Sequence, residues 1–277
     1  MRFLVGTVYR ALQLIPVSAM GTITSVSTSR SMVALTFDDG PDPLCTPRLL
    51  DVLQKHNAKA TFFMVGQAAA RYPDIVEKVA GRGHAIGNHS WDHPSFPHIT
   101  GRERRNQILA CANAIAPYGQ PILRPPYADQ NLWSRLDAVW LGYQVIMYSV
   151  TADDWLNHDA EWMKSRVMSR IQNGSIVLLH DSLFRYGDER YTDREPMLNA
   201  VDLLLSELRG RFSFVTVPEL LRAGRPLRKK WFKKCVPDFL NGLKGPYGGG
   251  VEIPNSDGRG KHGNRCQGIL GHYEERQ

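Results

Sequence analysis

Met32-Val33-Ala34-Leu35-Thr36-Phe37-Asp38-Asp39-Gly40-Pro41-Asp42 runs from an apolar stretch into an acidic turn. The apolar part is short and suited to a β-strand, and Gly40-Pro41 forces a turn, so a strand ends with two adjacent carboxylates at its mouth. Side-by-side carboxylates repel. A folded chain keeps them together where a cation, a proton or solvent relieves the repulsion. Alone, the stretch reads more readily as a solvated Asp-Asp-Gly-Pro turn, and its neighbours in the chain must decide.

Downstream, helices and strands alternate. Thr46 reads as an N-cap with Pro47 at the first helical position, and Leu49, Leu50 and Leu53 mark one face of a helix to about Asn57. Strands follow at 60–65, 85–88 (ending at His89), 122–123, 144–150, 175–179 and 212–217, separated by helical patterns at 73–82, 102–116, 131–141, 161–172 and 197–208. Pro125-Pro126 must end the fourth strand, because proline cannot donate to a ladder. Seven strands alternating with helices give an α/β fold with parallel strands. Periodicity does not say whether the sheet closes. Residues 22–31 are rich in Ser and Thr and read as a linker, which makes 1–30 an N-terminal extension, 31–224 the domain, and 225–277 a basic, Gly-rich tail.

Composition fits a soluble globular chain of 277 residues with one large core. The net charge of +7 sits wholly in residues 222–277, where twelve Lys/Arg face five Asp/Glu; the rest is neutral, with 22 of each sign. The body therefore carries no basic footprint for nucleic acid. The tail, with Trp231-Phe232 among its cations, suits a weak contact with an anionic surface. Cys45, Cys111, Cys235 and Cys266 are scattered and form neither a disulfide framework nor a cysteine metal site. The apolar runs 3–8 and 11–17 are divided by Tyr9-Arg10 and too short to span a membrane, though Val17-Ser18-Ala19 resembles a signal-peptidase site. A cytoplasmic monomer is the expectation, with the cell envelope or secretion as the alternative.

Catalytic residue types collect where the strands end, the place parallel α/β folds use for chemistry. His89 and His93 are four apart, the spacing that sets two imidazoles on one side of a helical turn, and two His with one carboxylate leave a divalent metal with open positions. Asp39 is the third ligand, which explains how two carboxylates coexist. Asp38 then stands beside the metal as a base for water activated by the cation. The backbone N–H of Tyr127 is a donor for an oxyanion, and His180, from the opposite side, is an acid for an amine leaving group. Arg124 and Asp154 are the charged partners that orient Asp38 and His180. Each also has a plain reading: surface histidines, a surface arginine, a helix-start Asp-Trp, a capped loop at His180-Asp181.

With these residues in order, the chain resembles the polysaccharide deacetylases of the NodB-homology type, carbohydrate esterase family 4. The motifs are Thr-Phe-Asp-Asp-Gly-Pro at 36–41, His-Ser-x-x-His at 89–93, Arg-Pro-Pro-Tyr at 124–127, Asp-Trp at 154–155 and Leu-x-His at 178–180, within about 31–221. The resemblance implies an irregular (β/α)7 barrel and metal-dependent hydrolysis of N-acetyl groups from GlcNAc-containing glycans such as chitooligosaccharide or peptidoglycan. It implies Asp38 as base, Asp39, His89 and His93 as metal ligands, His180 as acid, Arg124 and Asp154 as tuning residues, Tyr127 as oxyanion donor, and Trp155 with Leu178 as the acetyl-methyl pocket. Zinc suits the ligands best, with cobalt, nickel or manganese as alternatives. Two departures stand out. Tyr148-Ser149-Val150-Thr151 lies where many members carry Trp-x-x-Asp, and Ala128 follows the Arg-Pro-Pro-Tyr motif where Gly is common. They bear on groove shape and so on which glycan is bound. The other readings are an acetylated-glycan-binding module without activity and a metal-dependent hydrolase of a small amide.

Overall fold

The computed structural model describes residues 21–245. Their order begins with β1 (Thr22–Ser27), β2 (Met32–Asp38), α1 (Cys45–Lys55), β3 (Ala60–Met64), α2 (Gly66–Arg71), α3 (Pro73–Gly81), β4 (Ala85–Asn88) and α4 (Gly101–Ala114). It continues through β5 (Gly119–Leu123), α5 (Leu132–Trp140), β6 (Gln144–Val145), β7 (Val150–Thr151), α6 (Ala160–Met168), β8 (Ile176–His180), α7 (Glu195–Glu207), β9 (Ser213–Phe214), α8 (Val217–Arg222), β10 (Arg225–Lys229) and α9 (Pro237–Asn241). The main sheet runs β6-β5-β4-β3-β2-β8-β7, with β9 on the base of β2, and every pairing in it is parallel. It is the parallel α/β sheet that the alternating pattern predicts, curled as the family resemblance implies.

Period-two alternation divides the core into two layers. On β2, Val33, Leu35 and Phe37 join Leu49, Leu50 and Leu53 of α1 and Met197, Leu198, Val201, Leu204 and Leu205 of α7 in the layer between sheet and helices. Ala34 faces the other way, with Phe63, Ile122, Ile146 and Ile176 inside the curl. The inner register of β2 is Ala34, Thr36, Asp38, and that of β8 is Ile176, Leu178, His180. Because Asp38 pairs directly with His180 across β2–β8, the two strands deliver a carboxylate and an imidazole to one end of one interior.

Several expectations change. The predicted fifth strand is broken: the Ile146 N–H bonds to Leu123 O, the Met147 N–H to Ile23 O and the Ser149 N–H to Ile176 O, so this stretch crosses from the β5 side to the β8 side. The crossing joins the two ends of the curl without a continuous ladder, the irregularity expected of the barrel. The Ser/Thr-rich linker is in fact β1, seated at the crossing through Ile23–Ile146 and Ser25–Ser175 bridges. Its buried Thr22 accepts from the Gln130 side chain, so polarity there reflects internal hydrogen bonding rather than solvent. The seventh strand shortens to β9, and α8 takes over at Val217. Thr46 lies inside α1; Asp42 instead accepts from the Leu44 and Cys45 N–H groups, which keeps it as turn chemistry. The expected boundary at 224 falls within packed structure, because β10 pairs antiparallel with β1. Residues 1–20 and 246–277, with the candidate cleavage site and most of the tail, lie outside the described residues. Among the described residues no helix is long and apolar enough to cross a membrane.

Candidate metal centre and active site

Apart from Leu178, inside β8, the site residues lie at or beyond the carboxyl ends of strands of the main sheet. Asp38 closes β2 and Asp39 follows it in the left-handed region at φ 77°. His89 follows β4, and the chain then turns through Ser90 (φ 68°) and His93 (φ 63°). The two histidines therefore meet through a loop with two left-handed residues, not through the helical turn that their spacing suggests. Gly66 and Gln67 N–H groups hold this loop by its Ser90 and Trp91 carbonyls. Non-glycine residues at positive φ carry strain that persists where the surroundings impose it, commonly at functional sites.

The three ligand candidates converge. Asp39 Oδ1 is 3.2 Å from His89 Nε2 and 3.1 Å from His93 Nε2, and the two imidazole nitrogens are 3.2 Å apart. All three residues are buried. His89 Nδ1 donates to the Arg124 carbonyl at 2.7 Å, which leaves a lone pair on Nε2 aimed at the common point. Asp39 Oδ1 has no hydrogen-bond donor of its own, while Oδ2 accepts from the Phe184 N–H. Bonds of roughly 2.0–2.1 Å imply ligand–ligand edges of about 2.9 Å in an octahedron and about 3.4 Å in a tetrahedron, and the observed edges fall between. The residues present fit a divalent cation. Burial alone would raise the Asp39 pKa, but His93, His89 and His180 outweigh it and hold the carboxyl well below its ordinary range. Burial, with His89 and Arg185, pushes His93 down against the pull of Asp39, a direction that favours the neutral imidazole a metal ligand requires.

Beside this triad, Asp38 Oδ1 accepts from Arg124 Nη1 at 2.6 Å, and its Oδ2 lies 3.8 Å from His89 Nε2. Arg124 is fully buried, donates also to Thr36 Oγ1 and the Ile146 and Met147 carbonyls, and stacks on Phe63 at 4.2 Å. A buried guanidinium with that many acceptors has one orientation. Across the site, His180 Nδ1 pairs with Asp154 Oδ1 at 3.0 Å while Asp154 Oδ2 accepts from the His180 N–H. Burial, the largest influence, opposes the charged imidazolium, yet Asp154, Asp39 and Asp38 together raise His180 to about 9. Trp155 stands edge-on to His180 at 5.4 Å, and Leu178 lies one inner position below on β8. Tyr127 is edge-on to the His93 ring at 4.4 Å and left-handed at φ 56°; its N–H has no backbone acceptor among the described residues. The structure thus gathers all ten predicted residues.

The family model for polysaccharide deacetylase matches residues 25–146. Over 205 residues the chain is 33% identical to a peptidoglycan-N-acetylglucosamine deacetylase of Bacillus cereus, a match covering 71% of this chain and 70% of that one. The chain belongs to the polysaccharide deacetylase family. A chitooligosaccharide deacetylase of Bradyrhizobium shares 34% identity over 204 residues, 70% of this chain and 92% of its own. A crystal structure of a peptidoglycan N-acetylglucosamine deacetylase superposes with a TM-score of 0.69 at 31% identity, over 76% of this chain and 97% of that one.

Sequence reasoning missed three participants in this family member. Arg194, buried, donates to Asp154 Oδ2 at 3.2 Å. The Phe184 N–H fixes Asp39. Asp181, buried behind the acidic turn, accepts from the Gly40 N–H and the Thr46 hydroxyl, and burial with Asp42 and Asp39 nearby pushes its pKa to about 7. All three come from the irregular 181–194 segment, whose sequence has no periodicity to place it. Only the Asp following His180 was a visible signal.

Proposed function

We propose that the protein is a metal-dependent deacetylase that hydrolyses N-acetyl groups of GlcNAc-containing glycans of the peptidoglycan or chitooligosaccharide kind, with zinc as the cation. The observation that carries the reading is the convergence of Asp39, His89 and His93 on one point, flanked by the Asp38–Arg124 and His180–Asp154 pairs. Bound there by Asp39, His89 and His93, a divalent cation supplies a Lewis acid for the acetyl carbonyl and lowers the pKa of water.

Asp38, held by Arg124 with Oδ2 free of it, takes the proton from the attacking water as the new C–O bond forms. The N–H of Tyr127 donates to the carbonyl oxygen as it gains negative charge. His180, kept protonated by Asp154, gives its proton to the amide nitrogen as the C–N bond breaks. The free amine and acetic acid leave, the acid ionising to acetate; the proton on Asp38 passes to solvent and His180 takes one back, so both groups return to their starting states. Trp155 and Leu178 enclose the acetyl methyl. The presence of Asp38 and His180 together supports catalysis over binding alone, since binding an acetyl group needs neither.

The test is release of acetate from N-acetylated chitooligosaccharides and peptidoglycan fragments before chelation, after chelation, and after zinc is restored. The reading expects activity lost with the chelator and recovered with zinc. Release that is unaffected by chelation, or absent from zinc-loaded protein on every glycan, contradicts it.

A further inference from the structure

From β10 to residue 245 the described chain stays on the molecule. Residues 231–244 form an arm over the rim of the site; its end is pinned where Lys244 exchanges backbone bonds with Tyr186, and most of its other hydrogen bonds fall on four consecutive residues of the loop that begins with Tyr127. Lys233 Nζ donates to Tyr127 O at 3.0 Å, and Trp231 Nε1 donates to Ala128 O at 3.1 Å. The Cys235 N–H donates to Asp129 Oδ2 at 2.8 Å and its thiol to Oδ1 at 3.3 Å. Gln130 and Lys233 exchange both backbone bonds, at 2.9 and 3.1 Å. Phe239 of α9 adds an edge contact to the Tyr127 ring at 6.3 Å.

Two further contacts give the arm a purpose. Asp129, fully buried, also accepts from Ser95 Oγ at 2.7 Å, two residues past the ligand His93, and His98 Nε2 donates to the Cys235 carbonyl at 2.7 Å. Trp231 meets Tyr148 edge-on at 5.4 Å while bonding Ala128, so one side chain touches both positions at which the chain departs from its family's pattern. Tyr127 and Ala128 are both left-handed, at φ 56° and 57°. An alanine held there costs more than a glycine and persists only under external constraint.

We infer that the C-terminal arm is a brace, in which Trp231 and Cys235 act with Asp129 to hold the 127–130 loop in the conformation that presents the Tyr127 N–H. Trp231, Cys235 and Asp129 are positioning residues. Their effect on turnover rests on the proposed deacetylase reading, whereas their effect on the loop does not. A loose loop misplaces an oxyanion donor, which weakens transition-state binding more than substrate binding.

The experiment compares full-length wild type with Asp129→Ala, Asp129→Asn and Trp231→Phe by backbone hydrogen exchange and by acetate-release kinetics on a zinc-loaded protein. Asp129→Asn keeps an acceptor for Ser95 and the Cys235 N–H; Trp231→Phe keeps the ring but loses the donor to Ala128. The brace predicts exchange at 127–130 faster by about tenfold in Asp129→Ala and by a smaller factor in Trp231→Phe, with near wild-type protection in Asp129→Asn. It predicts a kcat lower by about tenfold in Asp129→Ala with KM within about twofold, restored in Asp129→Asn. Unchanged exchange at 127–130 in Trp231→Phe overturns the brace, as does a rise in Asp129→Ala spread equally over β2 and α1. If wild type releases no acetate, the deacetylase reading fails while exchange still decides the brace.

Discussion

Asp154→Asn separates charge from geometry at His180. Asp154 Oδ1 lies 3.0 Å from His180 Nδ1, and both groups are shielded from solvent. With charge centres about 4 Å apart and an effective dielectric of about 20, the pair is worth about 4 kcal/mol, a roughly thousandfold change in proton affinity. Removing the carboxylate therefore brings His180 from about 9 to about 6 in protein without cation. Arg194, which now pairs with Asp154 Oδ2, is left as an uncompensated cation and pushes in the same direction. A cation at Asp39 offsets the contributions of Asp38 and Asp39, so the starting value in the loaded enzyme is lower, but the fall due to Asp154 remains. The assay is acetate release against pH with zinc held constant, paired with an NMR titration of the imidazole. The basic limb of the profile should move down by about three pH units, with activity at pH 8 reduced by at least about a hundredfold and recovering only as pH falls below about 6. A limb that stays in place, or a loss that is equal at all pH values, would refute the acid role and leave Asp154 as a purely steric support.

Other perturbations test neighbouring parts of the account. His93→Ala should weaken zinc binding by at least about a hundredfold by calorimetry. In wild type, zinc at about 100 times its Kd should add about 2.7 kcal/mol to unfolding stability, and His93→Ala should abolish that gain. A Cβ at Gly40 would stand 2.2 Å from Asp181 Oδ2, so Gly40→Ala should cost about 1–3 kcal/mol in chemical denaturation and weaken zinc binding by displacing Asp39. His180 has a folded pKa raised above its ordinary value, so its stabilising contribution is complete below about pH 6.5 and fades as pH rises through about 9. Denaturation midpoints without zinc should fall over that window, and less so in His180→Gln.

Most of the fold was legible because the strands of a covered parallel sheet are apolar on both faces. Val33, Leu35 and Phe37 look outward to helices and Ala34 inward, so the run announces itself. β1 was not legible for the converse reason: its Thr22 hydroxyl is paired with Gln130 and its Ser25 bridges Ser175, and local sequence cannot show a partner more than 100 residues away. β10 and the arm were hidden by their basic composition, which faces solvent while the backbone pairs with β1 and Gln130. At the site, the candidate ligands and the proposed acid and base were readable because the proposed chemistry demands those residue types. What spacing could not give was backbone shape. His89 and His93 meet through left-handed turns, and Asp181, Phe184 and Arg194 act from a segment without a pattern.

In the proposed mechanism the two carboxylates of the acidic turn divide the work: Asp39 holds the cation and Asp38 takes the proton. Asp38→Asn tests that division directly, because the amide retains the shape and an acceptor for Arg124 but not the basicity. Zinc affinity and acetate release should be measured on the same preparation. The account predicts zinc affinity within a few-fold of wild type and acetate release reduced by about a thousandfold. Retained acetate release at wild-type zinc occupancy would contradict it.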